Sequence, residues 1–166
     1  MMIAIVGKKR KGKTVLAKNL ILDEKYNQIF ILDFLREYQY LKTWEKFFVY
    51  ENIYDLYSFV EAVWDSELTT KKTNTLVVFD EIHMYGKNSR PIETLFRFGA
   101  HWNIDIIAIS HRFVDLHPNW REQVDEYRVF KLTDRADKNF LKDYISDEEI
   151  EKISNLDTLE YITLEL

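Results

Sequence analysis

The sequence predicts an α/β fold of three layers, with helices on both faces of a mainly parallel central sheet. Two observations support this prediction. Short apolar and β-branched runs of strand length alternate with stretches of helical periodicity along most of the 166-residue chain. Several of these runs are continuously apolar, which is typical of central strands buried on both faces. No internal repeat or linker interrupts the pattern, and we expect residues 1–166 to form a single domain.

The predicted strands differ in composition between central and edge positions. The runs at 2–6, 75–79 and 104–110 suit the centre of the sheet, and the run at 28–33 is a further strand that ends in an acid. Residues 47–50 suggest a short edge strand. Alternating runs at 127–132 and 159–164 complete the set, the last at an edge. Because helices separate these strands, we expect right-handed crossovers between parallel neighbours.

Helices are predicted from apolar spacing and from capping residues. Residues 15–22 contain few helix breakers, and Pro91 and Gly99 bound a helix at 92–98. Apolar residues at 140, 141, 144 and 145 mark another helix, and Ser146 with Glu149 forms the capping box of a short one. Asn52 is expected to cap a helix whose apolar stripe belongs to the core. The stripe consists of Ile53, Leu56, Val60, Val63 and Trp64.

Composition narrows the class of protein. Hydrophobic residues make up 46% of the chain, enough for a packed core, and the absence of cysteine excludes disulfides and thiolate metal sites. No apolar run approaches the roughly 18 residues of a membrane span, and no signal-peptide pattern is present. We therefore expect a cytoplasmic protein. The net charge of −5 does not favour a general nucleic-acid binder, and the excess of acids lies in residues 134–166.

Residues 7–14 match the phosphate-loop pattern of Gly, four residues, Gly, Lys and Ser or Thr. A predicted strand precedes the motif and a predicted helix follows it, as the motif requires. The glycines let the backbone approach an anion, and loop N–H groups face the phosphates. A solvated basic run or nucleic-acid patch is the alternative, which this context disfavours. We expect ATP to be bound by Gly7, Lys8, Lys9, Arg10, Lys11, Gly12, Lys13 and Thr14.

Two motifs are expected to supply the residues for ATP hydrolysis, the phosphate loop and an acid pair. Lys13 places a positive charge on the β- and γ-phosphates, and the Thr14 hydroxyl is a ligand for Mg²⁺. Asp80 and Glu81 end the strand at 75–79; Asp80 is expected to hold Mg²⁺, directly or through water, and Glu81 to polarise the attacking water. The alternative is a strand that ends in two solvated acids, which the phosphate loop disfavours. His83 is a neighbour of the site rather than a metal ligand, because no second His or Cys lies at ligand spacing.

His111 and Arg112 follow the strand at 104–110. Polar residues at the carboxyl end of a central strand lie beside the ligand crevice of an open α/β sheet. Arg97 is predicted near the C-terminus of the helix at 92–98. We therefore include His111 and Arg112 among the candidate catalytic residues, with Lys13 and Glu81.

Several separated segments resemble one family. The chain is similar to the HerA/FtsK superfamily of P-loop ATPases, especially its small viral genome-packaging members, over nearly its full length. The likeness includes the phosphate loop and the segments 33–38, 78–83, 97–112 and 124–130. The phosphate loop and the acid pair are specific for nucleotide binding, and the other segments separate this family from P-loop proteins in general.

The resemblance implies a RecA-like sheet in which an additional strand lies between the phosphate-loop strand and the Asp80 strand. It also implies a ring of six subunits that moves double-stranded DNA through a pore in the host cytoplasm, with a capsid or docking protein as a further partner. A neighbour's arginine would complete each ATP site. Arg97 and Arg112 are the candidates, although a surface ion pair suits each equally well. Candidate pore cations are Lys42, Lys71, Lys72, Lys87 and Arg90.

Two positions depart from the family pattern, and other functions stay open. His111 stands where the family commonly has Gln, and Ala100 stands where it tends to have Arg. A P-loop ATPase for filamentous phage assembly or export would usually carry a membrane segment. A nucleotide kinase would need a lid and an arginine-rich acceptor site, neither of which stands out. A nucleotide-gated binding switch with little turnover is the alternative from another class, and the acidic C-terminal part and the aromatic content suit it.

Overall fold

The computed structural model describes residues 1–22, 25–70, 74–85 and 89–165. The candidate pore residues Lys71, Lys72 and Lys87 lie outside this part of the chain. Within it, the strands are β1 (Met2–Val6), β2 (Gln28–Leu32), β3 (Phe47–Tyr50), β4 (Thr75–Phe79), β5 (Ile104–Ser110), β6 (Glu126–Phe130) and β7 (Tyr161–Leu164). The helices are α1 (Lys13–Ile21), α2 (Leu56–Thr70), α3 (Arg90–Phe98), α4 (Pro118–Arg121), α5 (Arg135–Leu141) and α6 (Asp147–Asn155).

The strands form one sheet in the order β3-β2-β4-β5-β1-β6-β7. Each neighbouring pair is parallel except β6 and β7, which are antiparallel. β5 therefore separates the phosphate-loop strand β1 from the Asp80 strand β4, as the resemblance implied. The predicted three-layer α/β fold with a mainly parallel sheet is confirmed, and β3 and β7 lie at its edges as expected.

Two hydrophobic clusters cover the two faces of the sheet. Side chains alternate along a strand, so Ala4 and Val6 of β1 pack on one face and Ile3 and Ile5 on the other. α1 covers the second face. The first face is covered by residues of the other helices, and its cluster includes the buried Leu56, Val60 and Val63 of the predicted stripe. Both faces of the central strands are buried, which explains their continuous apolar runs.

Local geometry shifts several predicted boundaries. Asn52 caps a short 3₁₀ turn (Ile53–Asp55), accepting a hydrogen bond from the Tyr54 N–H, and α2 begins after that turn. Gly99 stays right-handed at the end of α3, and the chain leaves the following 3₁₀ turn at Asn103, with φ +56°. The capping box of α6 is present: Ser146 Oγ accepts from the Glu149 N–H, and Glu149 Oε2 accepts from the Ser146 N–H.

The sheet brings the predicted site segments together. β1, β4 and β5 run in the same direction, so the residues that follow them meet at one edge of the sheet. Val6 of β1 lies beside Ser110 of β5, and Phe79 of β4 lies beside Ala108. The phosphate loop, the acid pair Asp80–Glu81 and His111 therefore project from adjacent strand ends.

Candidate nucleotide site

The backbone of the phosphate loop requires its two glycines. Gly7 and Gly12 adopt φ values of +153° and +114°, which L side chains rarely adopt. A Cβ on Gly7 would lie 2.6 Å from Phe130 Cβ, and one on Gly12 would lie 2.7 Å from Leu159 Cδ2. A side chain at either position would therefore strain the backbone and collide with the wall behind the loop.

Neighbouring elements fix the loop by main-chain hydrogen bonds. The Gly7 N–H donates to the Ser110 carbonyl at 3.2 Å, and the Lys8 N–H donates to the Lys131 carbonyl at 3.1 Å. From the turn before β7, the Leu159 N–H donates to the Lys11 carbonyl at 2.8 Å. These bonds tie the loop to the ends of β5 and β6 and to the turn before β7.

The N-terminus of α1 is prepared for an anion. Gly12 is its N-cap and offers no capping side chain, and the first turn contains no acidic residue. The first N–H groups of a helix have no partner within the helix, and its dipole favours negative charge there. This end of α1 can therefore hold a phosphate group.

Lys13 lies folded over the loop that it follows. Its side chain is buried, and Nζ donates to the carbonyls of Gly7 at 2.7 Å and Lys8 at 2.9 Å. Nζ also lies 3.2 Å from His111 Nδ1. Burial lowers the pKa of Lys13, although Glu81 and Asp80 oppose that shift. A phosphate bound in the loop would offer this ammonium an ionic partner in place of the neutral carbonyls.

Asp80 is a buried carboxylate with one unpartnered oxygen. The residue is 1% exposed, and Oδ2 has no hydrogen-bond partner among the described residues. Burial, reinforced by the nearby carboxylate of Glu81, raises the pKa of Asp80 to about 7. Tyr85 fixes the backbone here, because its hydroxyl donates to the carbonyls of Asp80 and Leu32. The free Oδ2 is thus held in place at the strand end.

Glu81 is held between two histidines. Its backbone takes a left-handed conformation, with φ +54°, which is unfavourable for a residue with a Cβ. Oε1 lies 3.0 Å from His111 Nε2, and Oε2 lies 3.4 Å from His83 Nδ1. Burial raises the pKa of the Glu81 carboxyl. Burial also lowers the pKa of His83 and, together with the charge of Lys13, lowers that of His111 to about 4. The His111 ring is therefore neutral at neutral pH, and burial favours the neutral form of His83 as well.

The residues at this edge fit a magnesium ion. Asp80 offers a buried carboxylate oxygen without a partner, and Thr14 lies in the first turn of α1. Oxygen ligands of this kind are the ones that Mg²⁺ prefers, usually with substrate phosphates. The described residues contain no group of three or more His, Cys, Asp or Glu side chains that could hold a metal without such help.

The two candidate arginines lie apart from this cluster. Arg97 extends from α3 and pairs with Glu93 one turn earlier, at 2.8 Å, with half of its side chain exposed. Arg112 Nη2 lies 2.5 Å from Asp134 Oδ1, and Nε lies 3.6 Å from the buried Asp137. Neither guanidinium has a contact with the loop or the acid pair in the described part of the chain. The structure thus brings together Lys13, Glu81 and His111 but not the arginines.

Sequence reasoning placed His83 near the site but did not predict its contact with Glu81, and it missed a second contact altogether. His83 reaches back to Glu81 because a single 3₁₀ turn (Ile82–Tyr85) follows the acid pair, and the spacing Asp80-Glu81-Ile82-His83 was the only signal. The turn at 157–160 touches the phosphate loop from a distant part of the chain: besides the Leu159 bond, Lys11 Nζ donates to Thr158 Oγ1. No local pattern indicates that second contact.

A comparison with protein families shows which family the chain belongs to. The model of the AAA domain family matches residues 1–133, and the chain therefore belongs to that family. This membership confirms the prediction of a P-loop ATPase domain. Among the described residues, no helix combines the length and apolar character needed to cross a membrane.

Solved structures similar to this chain include viral and bacterial ATPases. B204, the DNA-packaging ATPase from Sulfolobus Turreted Icosahedral Virus, is 22% identical, with a TM-score of 0.79 over 99% of this chain and 91% of B204. B204 from Sulfolobus turreted icosahedral virus 2, in complex with AMPPCP, is 21% identical, with the same TM-score and coverage. EssC (ATPases 2 and 3) from Geobacillus thermodenitrificans is 14% identical, with a TM-score of 0.72 over 98% of this chain and 37% of EssC. The predicted resemblance is confirmed at the level of the fold.

A curated viral protein is similar over a shorter stretch. Uncharacterized protein 015R of Frog virus 3 (isolate Goorha) is 32% identical over 68 residues, which is 40% of this chain. The match spans about a fifth of the length of that protein, at 21%.

Proposed function

We propose that this protein hydrolyses ATP with Mg²⁺ and uses the energy to move double-stranded DNA, as a genome-packaging motor of a virus or mobile element. The observation that carries the hydrolysis step is the unpartnered, buried Oδ2 of Asp80 beside Glu81, at the strand ends that also hold the phosphate loop. A buried carboxylate oxygen without a partner is costly and is expected where a cation binds.

Each residue of the site has a role in this proposal. The loop N–H groups and the N-terminus of α1 bind the phosphates, and Lys13 leaves its carbonyl partners for the β- and γ-phosphates. Thr14 and Asp80 would hold Mg²⁺, which would supply positive charge to offset that of the transferring phosphoryl group. Glu81 polarises the attacking water. His111, in contact with both Lys13 and Glu81, links the phosphate-binding and water-activating sides of the site.

The cargo is inferred from structural likeness. The structure of B204, a DNA-packaging ATPase, is similar to this chain over 99% of the length of this chain. We therefore propose a homo-oligomeric ring, of six subunits, acting in the host cytoplasm with a capsid or docking partner. A neighbour's arginine would complete each site, and Arg97 suits this role better than Arg112, because its one ion pair among the described residues is the surface pair with Glu93. Among the candidate pore cations, Arg90 is exposed at the start of α3, whereas Lys42 already pairs with Glu51.

The steady-state ATPase rate with and without long double-stranded DNA tests the proposal, with Glu81→Gln as the blank. We expect a Mg²⁺-dependent rate that DNA stimulates. A rate above the blank that DNA leaves unchanged would contradict the DNA cargo and favour a protein cargo, as in phage assembly. Tight ATP binding with no rate above the blank would contradict the motor and favour a nucleotide-gated switch.

A further inference from the structure

Two unpartnered atoms face each other beside the acid pair. Glu81 Oε2 and His83 Nδ1 are both buried, and neither has a hydrogen-bond partner among the described residues. They lie 3.4 Å apart without the geometry of a hydrogen bond. A buried polar atom without a partner is unfavourable, so two at one point require an explanation.

The contacts of His111 fix the orientation of Glu81. An ammonium can only donate, so His111 Nδ1 accepts from Lys13 Nζ and the proton of the neutral ring lies on Nε2. Nε2 lies 3.0 Å from Glu81 Oε1, so the ring and the carboxylate are in close contact. One oxygen of the carboxylate therefore lies next to His111, and the other lies next to His83.

The surroundings of His83 favour a neutral ring that donates through Nδ1. The ring lies 5.4 Å from that of His111, and the charges nearest to it are Asp115, Lys9 and Lys13, with Glu81 in contact. A proton on Nδ1 would lie on the side of the ring that is nearest to Glu81 Oε2. Neither atom is open to a water in this structure, so a shared water would enter with the nucleotide, donating to the carboxylate oxygen and accepting from Nδ1–H.

We propose that His83 is a catalytic residue that, together with Glu81, holds the water that attacks ATP. This inference rests on the proposed ATPase function. The water oxygen bonds to the γ-phosphorus while the bond from that phosphorus to the β–γ bridging oxygen breaks. The bridging oxygen leaves on ADP, one water proton passes to Glu81 Oε2, and the former γ-phosphoryl group leaves as phosphate. His83 Nδ1–H orients the water and keeps its own proton.

Two substitutions of His83 separate this role from packing. His83→Leu removes the donor, whereas His83→Asn places an amide N–H near the position of Nδ1. We expect His83→Leu to lower kcat about 10-fold or more, with the Kd for ATP within about twofold of wild type, and His83→Asn to recover most of the loss. His101→Leu is the matched control, because His101 is exposed on the 3₁₀ turn Gly99–Trp102 at the opposite end of β5. An unchanged kcat in His83→Leu would overturn the proposal, as would a loss of kcat that His83→Asn does not relieve.

The ring nitrogens provide a test that does not depend on turnover. In a long-range ¹H–¹⁵N spectrum of the nucleotide-free protein, we expect His83 to be protonated on Nδ1 and His111 on Nε2. Glu81→Gln should shift the signals of both rings and leave those of His101 unchanged. A His83 ring protonated on Nε2 would overturn the role of His83 even if the protein hydrolyses ATP. Absence of ATPase activity in the wild type would instead contradict the proposed function, and the spectrum would still decide whether His83 presents a donor.

Discussion

Two aspartates, Asp80 and Asp105, lie at opposite ends of the neighbouring strands β4 and β5. At the amino end of β5, Asp105 accepts from the N-terminal ammonium at 2.6 Å and from the Tyr26 hydroxyl at 2.9 Å, with Lys25 at 3.4 Å. Burial opposes the effect of these partners, but their hydrogen bonds lower the pKa of Asp105. At the carboxyl end of β4, Asp80 keeps an oxygen without a partner among the described residues, and its pKa is raised to about 7.

The difference shows at which end of the sheet a buried carboxylate stabilises the fold and at which end it is left able to bind a ligand. A carboxylate whose oxygens are already matched by cations and hydroxyls stabilises the fold and has little capacity left for a ligand. A buried carboxylate that lacks such partners destabilises the fold until a cation binds. At the amino end of β5 the charge of Asp105 is compensated within the chain, whereas at the carboxyl ends Asp80, Glu81 and His83 each have a buried atom without a partner among the described residues.

The largest effect is expected at Lys13, whose ammonium donates hydrogen bonds to backbone carbonyls of the protein itself. Lys13→Ala should weaken ATP binding at least about 100-fold, because the phosphates lose their buried cation. Equilibrium binding of a fluorescent ATP analogue measures this change. Lys152→Ala is the control, because Lys152 pairs with Glu148 on the exposed face of α6, away from the loop. Binding retained within a few-fold in Lys13→Ala would show that the carboxyl ends are not the phosphate site.

Substitutions of the two aspartates test the comparison directly, because we expect one to change turnover and the other to change stability. Asp80→Asn removes a charge that burial penalises, so the free energy of unfolding of the nucleotide-free protein should stay the same or rise, while Mg²⁺-dependent turnover falls at least about 100-fold. Asp105→Asn should lower the free energy of unfolding by about 1–2 kcal/mol and leave turnover per folded molecule unchanged. Urea unfolding and ATPase assays on the same preparations provide both quantities. A large stability loss in Asp80→Asn would break the comparison.

The sequence predicted most of the fold because the relevant signals are local. Continuous apolar runs identified β1 and β4, and Ser146 with Glu149 identified the start of α6. The position of β5 between β1 and β4 came from the family resemblance, since the composition of a strand does not determine its neighbours.

The site was predictable only where a motif encodes it. The phosphate loop and the acid pair carry their chemistry in their spacing. The contact of His83 with Glu81 depends on a left-handed Glu81, which propensity disfavours. The Leu159–Lys11 bond joins residues from opposite ends of the chain, and periodicity contains no information on such pairs.

The comparison can be extended from aspartates to a cation, because Arg112 lies at the carboxyl end of β5. Its guanidinium lies 3.6 Å from the buried Asp137 and partly compensates that charge, so Arg112→Ala should lower the free energy of unfolding by about 1–3 kcal/mol, a range that allows for the partial exposure of Arg112. Arg97→Ala breaks only a surface pair within α3, and we expect a loss of about 0.5 kcal/mol or less. Chemical denaturation of the two variants distinguishes them. Equal losses would remove the reason for preferring Arg97 as the arginine that acts in a neighbouring subunit.

The smallest effect is a pH dependence at Asp137, the buried acid that Arg112 only partly compensates. Burial raises the pKa of Asp137 above its usual value of 3.8, although the Val114 N–H and Arg112 oppose the shift. A raised pKa means that the folded state binds the proton more tightly than the unfolded chain does. The stability that this group contributes is therefore fully present below about pH 4 and is lost as the pH rises through the folded-state pKa.

Asp137→Asn removes this titration, so a comparison with wild type measures how much it contributes to the free energy of unfolding. The difference in the free energy of unfolding, wild type minus Asp137→Asn, should decrease from about pH 4 upwards and then level off. Urea unfolding of both proteins across that range measures the difference, in which titrations common to the two cancel. A difference that instead grows with pH would mean that Arg112 outweighs burial. Asp137 would then belong with Asp105, as a carboxylate matched within the chain, rather than with Asp80.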